Sequence, residues 1–380
     1  MSKTGNTLLK GYRVLELGGF LAAPFATHIL ASLGAEVIKV ERQSGDPFRN
    51  DPKHFLAANI GKKSVLIDLG TEEGMRSFEE LLGSSDAIVH NLSHRAERSL
   101  GVDFESCRAI NPTIVHCAIR AFGPGPHSQK SATNPIVESL IGVVATGSAQ
   151  AKPVRQPIPY YDQMSGAFAA SCVIGMFASK DDSLERRIEV NLFESGLLQV
   201  ASKLTEFQLT GVLPSQSTVF QTAPYDFFQT KDDQWVFIGV VSDNTWVRVC
   251  EQLGAPDLAR DPRFITVGGR GEHRELVNEL VGTHTKRFAT AELLELMEGA
   301  NIPCALVQDY AQVLEDPQVT FPGKLVPISY QGQTIRVPGF PVSGDFVDTS
   351  LKAVPELGQH NEELLNRQAG VRATAGSRIA

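Results

Sequence analysis

The feature that most constrains this chain is a repeated switch, early on, between short Val/Ile/Leu runs and segments with helical periodicity. "YRVLEL" (12–17), "AEVIKVE" (35–41), "KSVLIDL" (63–69), "SDAIVHNL" (85–92) and "PTIVHCAI" (112–119) read as strands. Between them, "APFATHILASLG" (23–34) reads as a helix ending at Gly34, and Thr71 is positioned to cap "TEEGMRSFEELLG". Strands that are apolar throughout, rather than at alternate positions, are buried on both faces. The pattern therefore predicts an α/β fold, a parallel sheet with helices on either side in the Rossmann manner. Further helices are expected over 134–147 and 163–179, then a strand over 186–192 leading into a helix that runs to about 210.

The pattern changes at "VLPSQSTVFQTAP" (212–224), whose turn and polar residues predict a linker. The expected organisation is a large domain over 1–211, the linker at 212–224, a smaller α+β domain over 225–322, and a return to the large domain over 323–380. In the small domain "YDFFQTKDDQWVFIGV" reads as a hairpin, followed by helices near 243–253, 267–281 and 290–299. The last part offers two short strands, "KLVPISY" and "QTIRVPG", and a helix within 356–370. The tail 371–380 is expected to be disordered, and there is no internal repeat.

Composition narrows the function. A chain of 380 residues suggests about two domains, and 42% apolar with 21% charged residues is ordinary for a soluble globular protein. A net charge of −8 without a basic run argues against nucleic acid and anionic membrane as partners. "MSKTGNTLLKGYRV" has no apolar leader, and no apolar run is long enough to span a bilayer, so the cytoplasm is the expected compartment. Five scattered cysteines without CxxC spacing, and nine dispersed histidines without HxH or HExxH, predict neither a disulfide framework nor a metal site.

The turn after the first strand, "LGGFLAAP", superficially resembles a dinucleotide-binding fingerprint, but its second glycine position is Phe20. A bulky side chain there blocks approach to a pyrophosphate, and NAD is not expected. Further on, "IPYYDQMSGAFAASC" (158–172) sets Asp162 between two tyrosines and a run of small helix formers. Local chemistry favours Asp162 as the N-cap of the following helix. A reactive carboxylate is the alternative.

The stretch "GYRVLELGGFLAAPFATHILASLGAEVIKVERQSGDPFR" (11–49) resembles the class III CoA-transferases, the CaiB/BaiF family. Five more segments fit in order: "FLAANIGKKSVLIDLGTEEG" (55–74), "HNLSHRAERSLGVDFESCRAINPTIVHCAIRAFGPGP" (90–126), "DPRFITVGGRGEHRELV" (261–277), "NIPCALVQDYAQVLEDPQV" (301–319) and "PELGQHNEELL" (355–365). The resemblance implies a Rossmann-like large domain built from both chain ends, a smaller inserted domain, and an interlocked homodimer of ring-like protomers. It implies a transferase that moves CoA from an acyl-CoA donor to a carboxylic acid, with no permanently bound cofactor. Asp162 matches the family's nucleophile, which forms an anhydride and then an aspartyl-CoA thioester. Arg42, Phe20, Leu21, Ile67, Asn91 and Leu92 match the positions around CoA, and Arg98 the phosphate arginine, displaced by one place.

The chain departs from the family pattern in several places. Leu21 stands where oxalate-type relatives have glutamine, and Gly70 where a lysine is frequent. Lys130 is a candidate replacement cation. The glycine run that oxalate-type members carry is absent, which argues against oxalate or formate. Methylacyl-CoA racemases share the fold and use a second acid/base at the place of "SATNP", where Thr133 and Asn134 cannot abstract a proton at neutral pH. A racemase and a catalytically silent CoA-binding subunit are the remaining alternatives. The apolar "GGFLAAP" loop with Tyr160 and Tyr161 favours a medium or aromatic acyl group over a small dicarboxylate.

Overall fold

The computed structural model describes residues 7–145, 153–213, 222–351 and 353–365. It divides into two compact units, Met1–Leu213 with Phe321–Ala380, and Pro214–Thr320. Most of the expected linker (214–221), residues 146–147 of an expected helix, and the end of the chain from 366 lie outside the described residues.

The large unit follows the apolar runs. Its elements are β1 (Arg13–Leu17), α1 (Ala22–Ser32), β2 (Glu36–Glu41), α2 (Pro52–Ala58), β3 (Lys63–Leu66), α3 (Glu72–Gly83) and β4 (Ala87–His90). Then come α4 (His94–Ser99), α5 (Phe104–Ile110), β5 (Val115–Arg120), α6 (Asn134–Leu140), α7 (Tyr160–Ala178), β6 (Arg187–Asn191), α8 (Leu192–Gln199) and α9 (Ala201–Thr210). The six strands form one parallel sheet in the order β3-β2-β1-β4-β5-β6. Apolar clusters cover both faces. Val14, Val37, Val89 and Val115 pack under α1 and α7, while Leu15, Ile38, Val65 and Ile88 pack under Phe78, Leu81 and Leu82 of α3.

Small residues let α1 and α7 lie close. Ala22, Ala23 and Ala26 of α1 and Gly166, Ala169 and Ala170 of α7 are all buried. The α7 sequence "MSGAFAA" is read by this contact rather than by amphipathicity.

The edge of β3 is covered by the end of the chain. Gly61 N–H donates to Ala353 O (2.8 Å), Ser64 N–H to His360 Nδ1 (3.1 Å) and Leu66 N–H to Asn361 Oδ1 (2.8 Å). Lys63 also pairs with Glu363 at 2.6 Å. An uncovered edge of this kind would invite pairing with another chain.

In the second unit β7 (Tyr225–Gln229), β8 (Trp235–Gly239) and β9 (Cys304–Leu306) form an antiparallel sheet. Phe228, Val236, Ile238, Trp246, Phe264 and Val281 make its core. The hairpin β10 (Leu325–Tyr330) and β11 (Gln333–Pro338) belongs to the first unit, where Ile328 and Val337 pack on Leu56 and Ile60. Among the described residues no helix is long and apolar enough to cross a membrane.

Candidate active site

In an open parallel sheet, ligands sit beyond the carboxyl ends of the strands where the strand order reverses. Here that point lies between β1 and β4. The segments leaving both strands line a cleft of 720 Å³: Phe20 and Leu21 after β1, Asn91 and Leu92 after β4. Asp162, in the first turn of α7, lines the same cleft.

The loop after β1 is held from three sides. Asn91 Nδ2 donates to Gly19 O (2.8 Å), and Asn91 Oδ1 accepts from Gly19 N–H (3.3 Å). A Cβ at residue 18 would fall 2.4 Å from Asn91 Oδ1, which is why glycine stands there. Lys39, fully buried, donates to Gly18 O (3.1 Å) and pairs with Asp46 (2.7 Å), while Asp46 Oδ1 accepts Phe20 N–H (3.3 Å). Glu16 completes the buried network between Lys39 and Lys62; burial works against its charge, but the two ammonium groups prevail and draw its pKa down to about 2. Held this way, Phe20 adopts φ +62°, a left-handed conformation costly for a bulky residue. Phe20 is 57% exposed, and its ring stands edge-on to Phe48, which stacks on His54.

Asp162 does not cap its helix. α7 begins at Tyr160, with Pro159 at the N-cap, so Asp162 is the third helical residue and makes no capping hydrogen bond. The cap comes from elsewhere: Asn134 Oδ1, at the start of α6, accepts Tyr161 N–H at 2.9 Å. The Asp162 carboxylate is half-buried and has no hydrogen-bond partner among the described residues, and desolvation pushes its pKa up to about 6. It is therefore largely ionised at neutral pH, yet more basic than an ordinary aspartate.

Over residues 9–361 the sequence matches CoA-transferase family III. The chain belongs to that family. It is 30% identical to the succinyl-CoA–D-citramalate CoA-transferase of Chloroflexus aurantiacus, covering 96% of this chain and 94% of that protein. It is 32% identical to the succinyl-CoA:glutarate CoA-transferase of Mus musculus, covering 94% and 85%. A CaiB/BaiF family protein from Brucella suis superposes with a TM-score of 0.83 at 25% identity, covering 97% of this chain and all of that one.

This CoA-transferase thus gathers Asp162, Phe20, Leu21, Asn91, Leu92 and Lys130 at one cleft. The other expected site residues lie elsewhere. Arg42 is exposed and off the cleft, and Ile67 is 5% exposed in the core beneath α3. Arg98 is exposed and lines a separate 180 Å³ pocket. Arg95, three residues earlier, lines the main cleft instead, as does Arg155. Both come from segments without periodic signal, and sequence reasoning missed them. Arg95, Lys130 and Arg155 form no ion pair among the described residues, whereas Arg120, which also lines the cleft, pairs with Glu97; the cleft thus presents three unpaired cations beside the Asp162 carboxylate.

Behind this wall the fold brings together His90, Glu97 and His116, which the linear sequence keeps apart, with donor atoms within 4.8 Å of one another. Arg120 pairs with Glu97 and donates to Leu92 O. His116 Nε2 faces Val102 O at 3.0 Å. Burial holds both histidines below their usual pKa, so they are neutral at pH 7.

Proposed function

We propose that Asp162 is the nucleophile of an acyl-CoA:carboxylate CoA-transfer that passes through an aspartyl anhydride and an aspartyl-CoA thioester. The observation that carries the reading is an uncapped, desolvated carboxylate in the cleft at the sheet's switch point. An Asp162 oxygen attacks the donor thioester carbonyl, the C–S bond breaks, and CoA leaves as thiolate. The thiolate then attacks the aspartyl carbonyl of the anhydride, releasing the donor acid as carboxylate and leaving CoA on Asp162. The acceptor carboxylate attacks that thioester, CoA thiolate leaves again, and its return to the new acyl carbonyl frees both product thioester and Asp162. One thioester replaces another, so no ATP and no resident cofactor are needed.

The acyl-CoA is held as substrate by the loops bearing Phe20, Leu21, Asn91 and Leu92. Arg95, Lys130 and Arg155 meet its phosphates, and Arg42 and Arg98 are assigned to the outer nucleotide end. Cations that serve phosphates do not select the acid. Small dicarboxylates, named for the citramalate and glutarate relatives, are the first acids to test, and medium-chain and aromatic acids the second. A racemase would need a second acid/base, and Asn134 at that place is already engaged by Tyr161 N–H.

The working state is an interlocked homodimer. Exposed apolar residues on α9 and just beyond it, Leu209 (81%) and Leu213 (79%), support a covering partner.

The test is Asp162→Asn with intact-mass analysis. Wild-type enzyme given acyl-CoA and hydroxylamine should be modified at Asp162, and the variant should fold but transfer nothing. Transfer above a few per cent in the variant, deamidation excluded, overturns the nucleophile; racemisation or plain CoA binding without exchange selects an alternative.

A further inference from the structure

The helix that carries Asp162 is anchored by a buried side-chain relay whose last member nothing so far assigns. Asn134 is 5% exposed, and its amide works in both directions. Oδ1 accepts Tyr161 N–H (2.9 Å), while Nδ2 donates to Glu138 Oε1 at 2.6 Å. Glu138 is fully buried one helical turn further along α6, and its other oxygen has no partner among the described residues. A buried carboxylate is costly to keep, so its single strong bond needs a reason. The reason lies in the symmetry of an amide group. An asparagine can present either its oxygen or its nitrogen to a neighbour, and only the oxygen can receive the N–H of Tyr161. Glu138, which only accepts when ionised, holds the nitrogen and so forces the oxygen toward α7. Tyr161 is the residue before Asp162. Fixing its N–H fixes where α7 starts, and leaves the Asp162 carboxylate free of the capping work it would otherwise do.

We infer that Glu138 is a positioning residue for the nucleophile, acting through Asn134 on the first turn of α7. This rests on the reading of Asp162 as nucleophile.

The logic can be tested by exchanging donor and acceptor. In Glu138→Gln a side-chain oxygen still accepts from Asn134, and kcat should stay within about 3-fold of wild type. In Glu138→Leu the amide loses its orientation; kcat should fall about 10- to 100-fold, the scale expected for small misplacement of a reacting group, with KM for acyl-CoA nearly unchanged. In Asn134→Asp two acceptors face each other, and kcat should fall similarly. The double variant Asn134→Asp/Glu138→Gln restores the pair with polarity reversed. The introduced glutamine donates to the introduced aspartate, which accepts Tyr161 N–H, and kcat should recover at least 5-fold over Asn134→Asp alone.

Hydrogen exchange of the peptide spanning 159–166 gives a readout independent of turnover. It should lose protection in Glu138→Leu and regain it in the double variant. If Asp162 is not the nucleophile, this exchange pattern persists while the kcat pattern vanishes. Wild-type kcat and exchange in folded Glu138→Leu, an equal kcat loss in Glu138→Gln, or no rescue by the double variant overturns the relay.

Discussion

A Cβ placed on Gly166 would stand 2.7 Å from the carbonyl oxygen of Ala22, so α7 crosses α1 at a distance only glycine permits. Asp162 lies one turn before Gly166, and Leu21 and Ala22 line the cleft opposite. The same contact therefore sets both the packing and the width of the site. Gly166→Ala should force the helices apart, cost about 1–3 kcal/mol and lower kcat. Thermal denaturation and steady-state kinetics check it; a variant with unchanged melting temperature and kcat would show that α1 yields freely.

Burial lifts Asp162 to about 6; if its ionised form is the nucleophile, as proposed, kcat/KM should fall as pH drops through about 6. An ordinary aspartate would hold its activity to about pH 4. A pH profile flat down to pH 5 would contradict the assignment.

The same desolvation has a stability consequence. The folded protein binds the Asp162 proton more tightly than the unfolded chain, so ionised Asp162 is a burden above about pH 6 and none below the unfolded pKa near 4. Asp162→Asn should therefore be more stable than wild type at pH 7–8, by about 1 kcal/mol after solvent screening. The gain should disappear as the pH is lowered from 6 to 4. Chemical denaturation at pH 7.5 and pH 4 measures the difference, and an equal effect at both would remove its electrostatic origin.

Arg95→Ala, Lys130→Ala and Arg155→Ala should each raise KM for acyl-CoA about 3- to 10-fold with kcat nearly intact, since a phosphate contact is the same in ground and transition states. Arg42→Ala should act in the same direction and less strongly, because Arg42 is exposed and off the cleft. A fall in kcat at unchanged KM would take any of these residues out of the CoA site.

If the protomers are threaded, dilution cannot release them. Sedimentation at nanomolar concentration should find only dimer, and unfolding should be slow and hard to reverse. A native monomer at that concentration ends the threaded reading.

The sheet was legible because fully apolar runs specify parallel strands directly. Thr71, as expected, caps α3 by accepting Gly74 N–H at 3.0 Å. Boundaries failed where tertiary contacts decide them. β3, expected to reach 69, ends at Leu66, and α7, expected from 163, starts at Tyr160 because its cap comes from 27 residues upstream. Asp162 as a cap was a sound local inference undone by that distant asparagine. The helix expected to run on to about 210 is interrupted at Val200, and that expected over 267–281 at His273. The short helices α4 and α5 had caps in Ser93 and Asp103, but too few turns to show a period. At the site, Phe20, Leu21, Asn91 and Leu92 were expected from the family resemblance alone, and the structure gathers them at one cleft. Arg95, on the six-residue helix α4, and Arg155, in the segment before α7, were not expected, since neither stretch is long or regular enough to show a pattern.

The closing of β3 by residues 353–363 has a consequence in time. Leu66 must wait for Asn361, 295 residues later, before its N–H finds its partner. At about 5–20 residues per second, a ribosome needs roughly 15–60 s to cover that distance. Through that interval the nascent sheet carries an open edge, long after its first strands could have paired. Stalled or truncated chains would be left in that state, and the demand for chaperones during synthesis should follow the last strand-edge contact to be made rather than the first.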